Sequence, residues 1–535
     1  MSQENKKIKL PNQIAIEDSN LKPFIHENHR APKTRREFMA YGFYGATTTM
    51  VLPSFASMVI GQNQAFAAET VACELPQFSA GMPYLCIDVG GGMNIAGANV
   101  MVGMASGGEH QEDYGSSSSD YVRLGITSAE NPNGSGKVVD TYGLKFHRAS
   151  GILAGMNEIL DGQNMPNGRA MSDGIDGLIF CTRTSDDTAT NQLNSIYMAN
   201  KAGAQGELVQ LVGNSATDTG ARSAAPSGEV NLNLRPSNVS RNSDAEGLLS
   251  VGGTLSGTNY LNAGAGDAGK ERLKKFMDRI SKMSKSKINE IAKKDSIGQI
   301  KDVLNCSSEG AKQLFNQYSA DMLNPDNDAS VTTVFAGGDE RIASVAKLVL
   351  DSIAGAGSIT IGGGDYHGGT AVNTHAKDME VGRAIGKCML LAKEKGKNLA
   401  IHLYTDGGVA GDAGALSEPV EVLGAGNGNI IEKVKWTGDS GTRSAAILMV
   451  YKHNHDGTPL VRENASGPRR QVGNFIKNGG VNLNTIIGNN TENLWKAIMI
   501  NYLAAQGKEG EFEDIFGRGS LPTGYESLIR MKKIT

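Results

Sequence analysis

An α/β fold, with a largely parallel central sheet covered by helices on both faces, is predicted by three features of the chain. Five short apolar runs alternate with helical stretches. Parallel strands need crossovers, and helical crossovers cover the sheet's faces. Several runs end in glycine, which suits tight turns from strand into helix. The runs are apolar nearly throughout, as strands buried on both faces are.

The first run, residues 83–89 (PYLCIDV), is closed by Gly90-Gly91-Gly92. Residues 109–120 include a polar, serine-repeating loop, and residues 145–160 have helical spacing. The second strand, 176–182 (DGLIFCT), runs into Thr184-Ser185-Asp186-Asp187, where Thr184 or Ser185 can cap a helix over 192–204. Residues 207–212 fit strand or helix, and 214–230 read as loop. Leu273, Phe276, Met277, Ile280 and Met283 recur at helical spacing within a lysine-rich block. That block is expected to be a helical insertion over about residues 268–325, its lysines forming a solvated face. A helix over 341–353 follows, then a strand at 358–361 (SITI), the turn 362–370 (GGGDYHGGT) and a long helix over 376–395. Strands at 399–404 (LAIHLY) and 445–451 (AAILMVY) complete the pattern, and no internal repeat is present.

Composition narrows the function. A net charge of −4 over 535 residues carries no footprint for nucleic acid or an anionic membrane. The five cysteines, Cys73, Cys86, Cys181, Cys306 and Cys388, include no CxxC pair, so neither a zinc knuckle nor a disulfide framework is signalled. The amino-terminal region reads as an export signal. A polar stretch over 1–33 leads to Thr34-Arg35-Arg36-Glu37-Phe38-Met39, then an uncharged segment over 39–60, then Ala65-Phe66-Ala67. This is a signal peptide with a small-x-small cleavage site, and the arginine pair followed by Glu and Phe resembles the twin-arginine consensus. The expected division is a signal over 1–67 and a mature domain over 68–535. The expected partner is the twin-arginine translocase, and the expected destination is the periplasm or the medium. The segment's Gly and Thr content suits a cleaved signal better than a permanent anchor. No later run is long enough to span a membrane.

Ligands of open α/β sheets bind beyond the carboxyl ends of the strands. The polar residues there are Asp88 with Asn94, Thr184 through Asp187, Asp365 and His367 with His375, and Asp406 with Asp412, followed by Asp439 and Ser440. Carboxylates and imidazoles on several strand ends are what a zinc, manganese or iron site needs. A metal held by residues of this set would activate water or clamp a phosphoryl or sulfuryl oxygen. Plainer roles exist: Asp365 and Asp406 as caps or turn residues, His402 as a buried strand residue, His453 and His455 on a surface hairpin. GGGMNIAG lacks the dinucleotide G-x-G-x-x-G spacing, and no Gly-x-Ser-x-Gly elbow occurs.

In order along the chain, Gly91-Gly92-Met93-Asn94-Ile95, Gly363-Gly364-Asp365-Tyr366-His367, Thr405-Asp406-Gly407-Gly408 and Gly438-Asp439-Ser440-Gly441 are short polar turns. Together they resemble the GGxDGLN-, GWDTH-, SEFG- and GTDHG-like motifs of a bacterial twin-arginine-exported family of unknown function in the alkaline-phosphatase and sulfatase superfamily. The likeness runs from about residue 83 to 450, carried by order and spacing. It implies an alkaline-phosphatase-like fold and a Ser or Thr nucleophile heading the helix after an early strand, a place held here by Thr184 or Ser185. Asn94 stands where the family has Asp, and Gly407 and Ser440 stand where superfamily enzymes have His, so the resemblance leaves Asp365, His367 and Asp406, with Asp88, as candidate ligands for one metal at most. Two readings are open: a metal-dependent hydrolase of phosphate or sulfate esters, or a non-catalytic relative binding a carbohydrate, peptide or envelope partner.

Overall fold

The structure is a computed structural model describing residues 8–9, 15–16, 81–104, 110–115, 121–184, 193–226, 228–248, 275, 279, 282, 317–336, 338–412, 414, 417–422, 429–465 and 467–534. Residues 1–53 form one unit, in which Ile8–Lys9 pairs antiparallel with Ala15–Ile16. Most of the expected export signal and most of the 268–325 insertion lie outside the described residues. Residues 54–535 form the second unit, which holds the sheet.

Eight strands build that sheet: β1 (Tyr84–Val89), β2 (Ile175–Thr182), β3 (Val209–Gly213), β4 (Ser237–Asn238), β5 (Ala354–Ile361), β6 (Leu399–Thr405), β7 (Ser444–Tyr451) and β8 (Gln471–Val472). Their order is β8-β2-β7-β6-β1-β5-β3-β4. Strand β7 runs antiparallel to both neighbours, and every other adjacent pair is parallel. The fold is therefore α/β with a mixed, mostly parallel sheet. The chain leaves β5 on one side of β1 and returns as β6 on the other, so the strand order reverses around β1.

Helices α1 (Gly151–Leu160), α3 (Glu340–Leu350) and α4 (Ala371–Glu394) pack on one face, and α2 (Ile196–Lys201) and α5 (Thr491–Ala505) on the other. The alternation of side chains along β1 divides the core: Leu85, Ile87 and Val89 meet Met156, Leu348 and Ile385, whereas Tyr84 and Cys86 meet Tyr197, Ile498 and Tyr502. Helix α1 crosses α4 at very close range. A Cβ on Gly155 would lie 2.1 Å from the Met379 carbonyl, and one on Gly382 would lie 2.1 Å from the Ile152 carbonyl.

The structure departs from the sequence reading in several places. Residues 145–147 are strand, not helix: Leu144–His147 pairs with Val138–Thr141. Tyr142 and Gly143 join them, both at positive φ (51° and 69°), as a tight two-residue hairpin requires. Helix α1 starts only after Ser150, whose side chain accepts the Leu153 N–H. Helix α2 is shorter than expected and follows Ser195, so Thr184 does not cap it. Helix α4 begins earlier, capped by Thr370 on the Asn373 N–H. Helix α5 was not anticipated, although TENLWKAIMINYLAA after Asn490 carries the signal; almost its whole surface is buried. His455 is buried rather than on the surface. Cys86, Cys181 and Cys388 are buried free thiols. Among the described residues no helix is long and apolar enough to cross a membrane.

Candidate functional site

Strands β1 and β6 lie side by side and parallel, Tyr404 opposite Asp88. Their carboxyl ends place two carboxylates together, both inside the protein: Asp88 is fully buried and Asp406 is 3% exposed. Each is held by backbone donors. Gly91 and Gly92 take positive φ (102° and 86°), a conformation that favours glycine, and turn their N–H groups onto Asp406 Oδ1 at 2.6 and 3.1 Å. The loop after β3 closes over Asp88: the Arg222 and Ser223 N–H groups each donate to Asp88 Oδ2 at 3.1 Å. Thr360, opposite Asp88 on β5, reaches the same oxygen at 3.4 Å. Asp88 Oδ1 is buried without a hydrogen-bond partner. Burial first, and then the Asp406 charge, push the Asp88 carboxyl up to about 7. The Arg222 side chain is exposed, and its stem would sit 3.3 Å from a Cβ on Gly90, at the mouth of this pair.

The other candidate ligands are exposed and engage other partners. Asp365 packs its backbone and Cβ against Gly91, but it is exposed and its Oδ1 accepts the His367 N–H at 3.0 Å, a turn role. His367 is exposed as well, with Nδ1 3.5 Å from Asp439 Oδ2. Among the described residues no three His, Cys, Asp or Glu side chains form a group able to hold a metal. Asp88, Asp365, His367 and Asp406 therefore divide into a buried carboxylate pair and an exposed Asp-x-His turn.

Thr184 is 1% exposed and its Oγ1 has no partner. It follows β2, three strand spacings from β1, which at about 4.8 Å each is roughly 14 Å. Ser185 lies outside the described residues. Asn94 is fully buried with neither side-chain amide atom partnered.

His375 belongs to a second polar group that the sequence did not reveal. Its Nδ1 is 2.8 Å from the buried Lys433 Nζ. Burial and that lysine's charge hold its imidazole down at about 3, and burial lowers Lys433 to about 8 despite Asp378. The Tyr366 hydroxyl donates to Asp378 and to the Thr374 carbonyl, and Trp436 Nε1 to Thr374 Oγ1 at 3.2 Å. This network ties the turn bearing Asp365 and His367 to α4. Other residues missed by sequence reading are Arg222 and Ser223. Arg222 and Ser223 sit in a stretch read only as loop.

Comparison with known families, curated proteins and solved structures finds no match to this chain.

Proposed function

We propose that the chain is an exported hydrolase of phosphate or sulfate esters whose reacting centre is the Asp88–Asp406 pair. The observation that carries this reading is the orphan Asp88 oxygen, buried beside a second carboxylate where the strand order reverses. Leaving such an acceptor unsatisfied costs about 1–3 kcal/mol, and a like charge beside it adds to that cost. Both costs are relieved by a cation or a proton. The donor set is two carboxylates without imidazole. Of the three metals expected, it favours manganese, and it equally suits magnesium, because both prefer oxygen ligands and take phosphate oxygens to complete their shell. Asp88 and Asp406 would hold that ion, which in this place would neutralise charge on the ester oxygens. The protein's own residues then have defined tasks. The Gly91–Gly92 and Arg222–Ser223 N–H groups fix the two carboxylates. Arg222 supplies positive charge at the mouth. With no metal bound, Asp88 is poised to give or take a proton near neutral pH.

The test is turnover of phosphate and sulfate esters by the mature protein, chelated and then resupplied with manganese or magnesium. Metal-dependent hydrolysis is expected, reduced about 100-fold or more in Asp88→Asn and Asp406→Asn. Folded wild type that cleaves no ester under any of these conditions would sink the proposal. The second reading, a non-catalytic relative binding a carbohydrate, peptide or envelope partner, is favoured by one observation: Thr184, the candidate nucleophile, stands three strands from Asp88.

A further inference from the structure

The sheet face covered by α2 and α5 carries a buried row of polar side chains that ends at Asp88. The parallel ladder sets Cys86 opposite His402 and Asp88 opposite Tyr404, and alternation along β1 and β6 turns these side chains to the same face. Each of them is fully buried. The Tyr404 ring lies against the His402 imidazole, with centroids 5.0 Å apart. His402 Nδ1 is 2.8 Å from Ser195 Oγ at the start of α2, and Ser195 Oγ is 2.6 Å from the Tyr84 hydroxyl. Cys86 Sγ lies 3.5 Å from His402 Nδ1. These contacts hold the imidazole on which the Tyr404 ring rests.

At its other end, the Tyr404 hydroxyl is hydrogen-bonded to Ser223 Oγ. Ser223 is also the residue whose N–H, beside that of Arg222, donates to Asp88 Oδ2 at 3.1 Å. One buried serine therefore joins β6 to the carboxylate on β1. The loop around it is laced to itself: Thr217 donates to the Ala221 carbonyl, and Thr219 to the Ser223 carbonyl. Bonds of that kind shape a loop without fixing where it sits on the sheet. Its place over Asp88 is set by side chains of the strands. Thr360 Oγ1 on β5 accepts the Arg222 N–H at 3.0 Å, and Tyr404 on β6 takes the Ser223 hydroxyl. Burial and then the Asp88 charge raise the Tyr404 hydroxyl well above its ordinary range, so it stays protonated and available for this bond.

We propose that Tyr404 is a positioning residue for Asp88: its hydroxyl holds Ser223, and the Ser223 and Arg222 N–H groups hold the carboxylate. The inference rests on the reading of Asp88 as part of the reacting centre. It gives a task to a strand residue that the reading leaves unused. Partners behind a ligating carboxylate fix its orientation, and losing one typically costs about 10–100-fold in affinity or activity.

The experiment follows the loop directly. Ala221-Arg222 is the only Ala-Arg pair in the sequence, so isotope labelling of alanine carbonyls together with arginine amides selects the Arg222 N–H in a magnetic-resonance spectrum. Chelated mature protein is compared with Asp88→Asn, Tyr404→Phe, Ser223→Ala and the double variant at fixed pH. Asp88→Asn shows how the signal moves when the acceptor loses its charge. Tyr404→Phe and Ser223→Ala are each expected to move it the same way, and the double variant no further than the larger single change, because both cut one bond. Tyr502→Phe is the control. It removes another buried hydroxyl against this face, one that donates to the Met82 carbonyl, and should leave the signal in place. Where wild type binds manganese, Tyr404→Phe is expected to weaken that binding by about tenfold or more, and Tyr502→Phe to leave it unchanged. An Arg222 signal unmoved in folded Tyr404→Phe overturns the proposal. So do single changes that add in the double variant, or manganese binding weakened equally by Tyr404→Phe and Tyr502→Phe. If Tyr404→Phe does not fold, Ser223→Ala decides by the same signal. A signal that moves as expected in a protein that binds no manganese and cleaves no ester would uphold the role of Tyr404 and remove the esterase reading.

Discussion

Asp88 is an acid that the fold makes weaker. Its carboxyl rises from an ordinary 3.8 to about 7, so the folded state binds the proton more tightly than the unfolded state does. Stability attached to this group is therefore present at low pH and lost as pH climbs from about 4 through about 7. Asp88→Asn should remove the penalty. Its amide oxygen can accept the Arg222 and Ser223 N–H groups while its NH2 takes the orphan position. In chelated protein the variant is expected to unfold later than wild type at pH 8, by on the order of 2–4 kcal/mol in chemical denaturation, and to match it near pH 4. A variant equally stabilised at both pH values would show that Asp88 is not ionising against the fold. The position of Asp88 and Asp406 at strand ends was legible, because an acidic residue closing an apolar run is visible in one dimension. The exposure of Asp365 and His367 was not. That depends on the Asp365 carboxylate turning back onto its own backbone, and sequence does not encode the direction of a turn's side chain so openly.

At the scale of elements, the contact between α1 and α4 is set by missing side chains. Ala replaces Gly favourably in helices by about 1 kcal/mol. At Gly155 the new Cβ would meet a backbone carbonyl, which cannot step aside as a flexible side chain can. Overpacking of this kind costs about 1–3 kcal/mol, so Gly155→Ala should destabilise despite its better propensity, read as a lower denaturation midpoint at unchanged slope. An unchanged or raised midpoint would mean that the helices slide apart at no cost. Elements were legible where apolar runs were long and bounded: β1, β2, β6, β7 and α4 stand within a few residues of their expected places. They were misread where a short signal decided. Tyr142-Gly143 converted the start of an expected helix into a hairpin. Helix α5, apolar on nearly every side, lacks the polar stripe by which amphipathic spacing announces a helix.

For the whole molecule, the sequence predicted the layers better than the site. Alternating runs imply a sheet between helices, and that architecture is present. The reversal of β7 could not be read, since an apolar strand carries no mark of its direction. Export remains the proposal with the most direct test. Arg35→Lys together with Arg36→Lys should keep the full-length precursor in the cytoplasm of a twin-arginine-competent host, whereas the unaltered chain yields a shortened form outside the membrane. Fractionation and immunoblotting would decide it, and a shortened external form from the lysine variant would rule this route out.

The register of β1 has a consequence for how the chain is made. Its two sheet partners are β5 and β6, and residue 89 is separated from residue 399 by more than half of the chain. At about 5–20 residues per second, a ribosome needs roughly 15–60 s to supply the distant partner once β1 has emerged. Until β5 is made, late in that interval, a largely apolar strand has both edges open. The central strand pair can close only when β6 is complete, and β2 pairs with β7 only after that strand, later still in the chain, has been made. A chain built this way is exposed to strand-to-strand association during synthesis, and a route that lets translation finish before the membrane is crossed suits it.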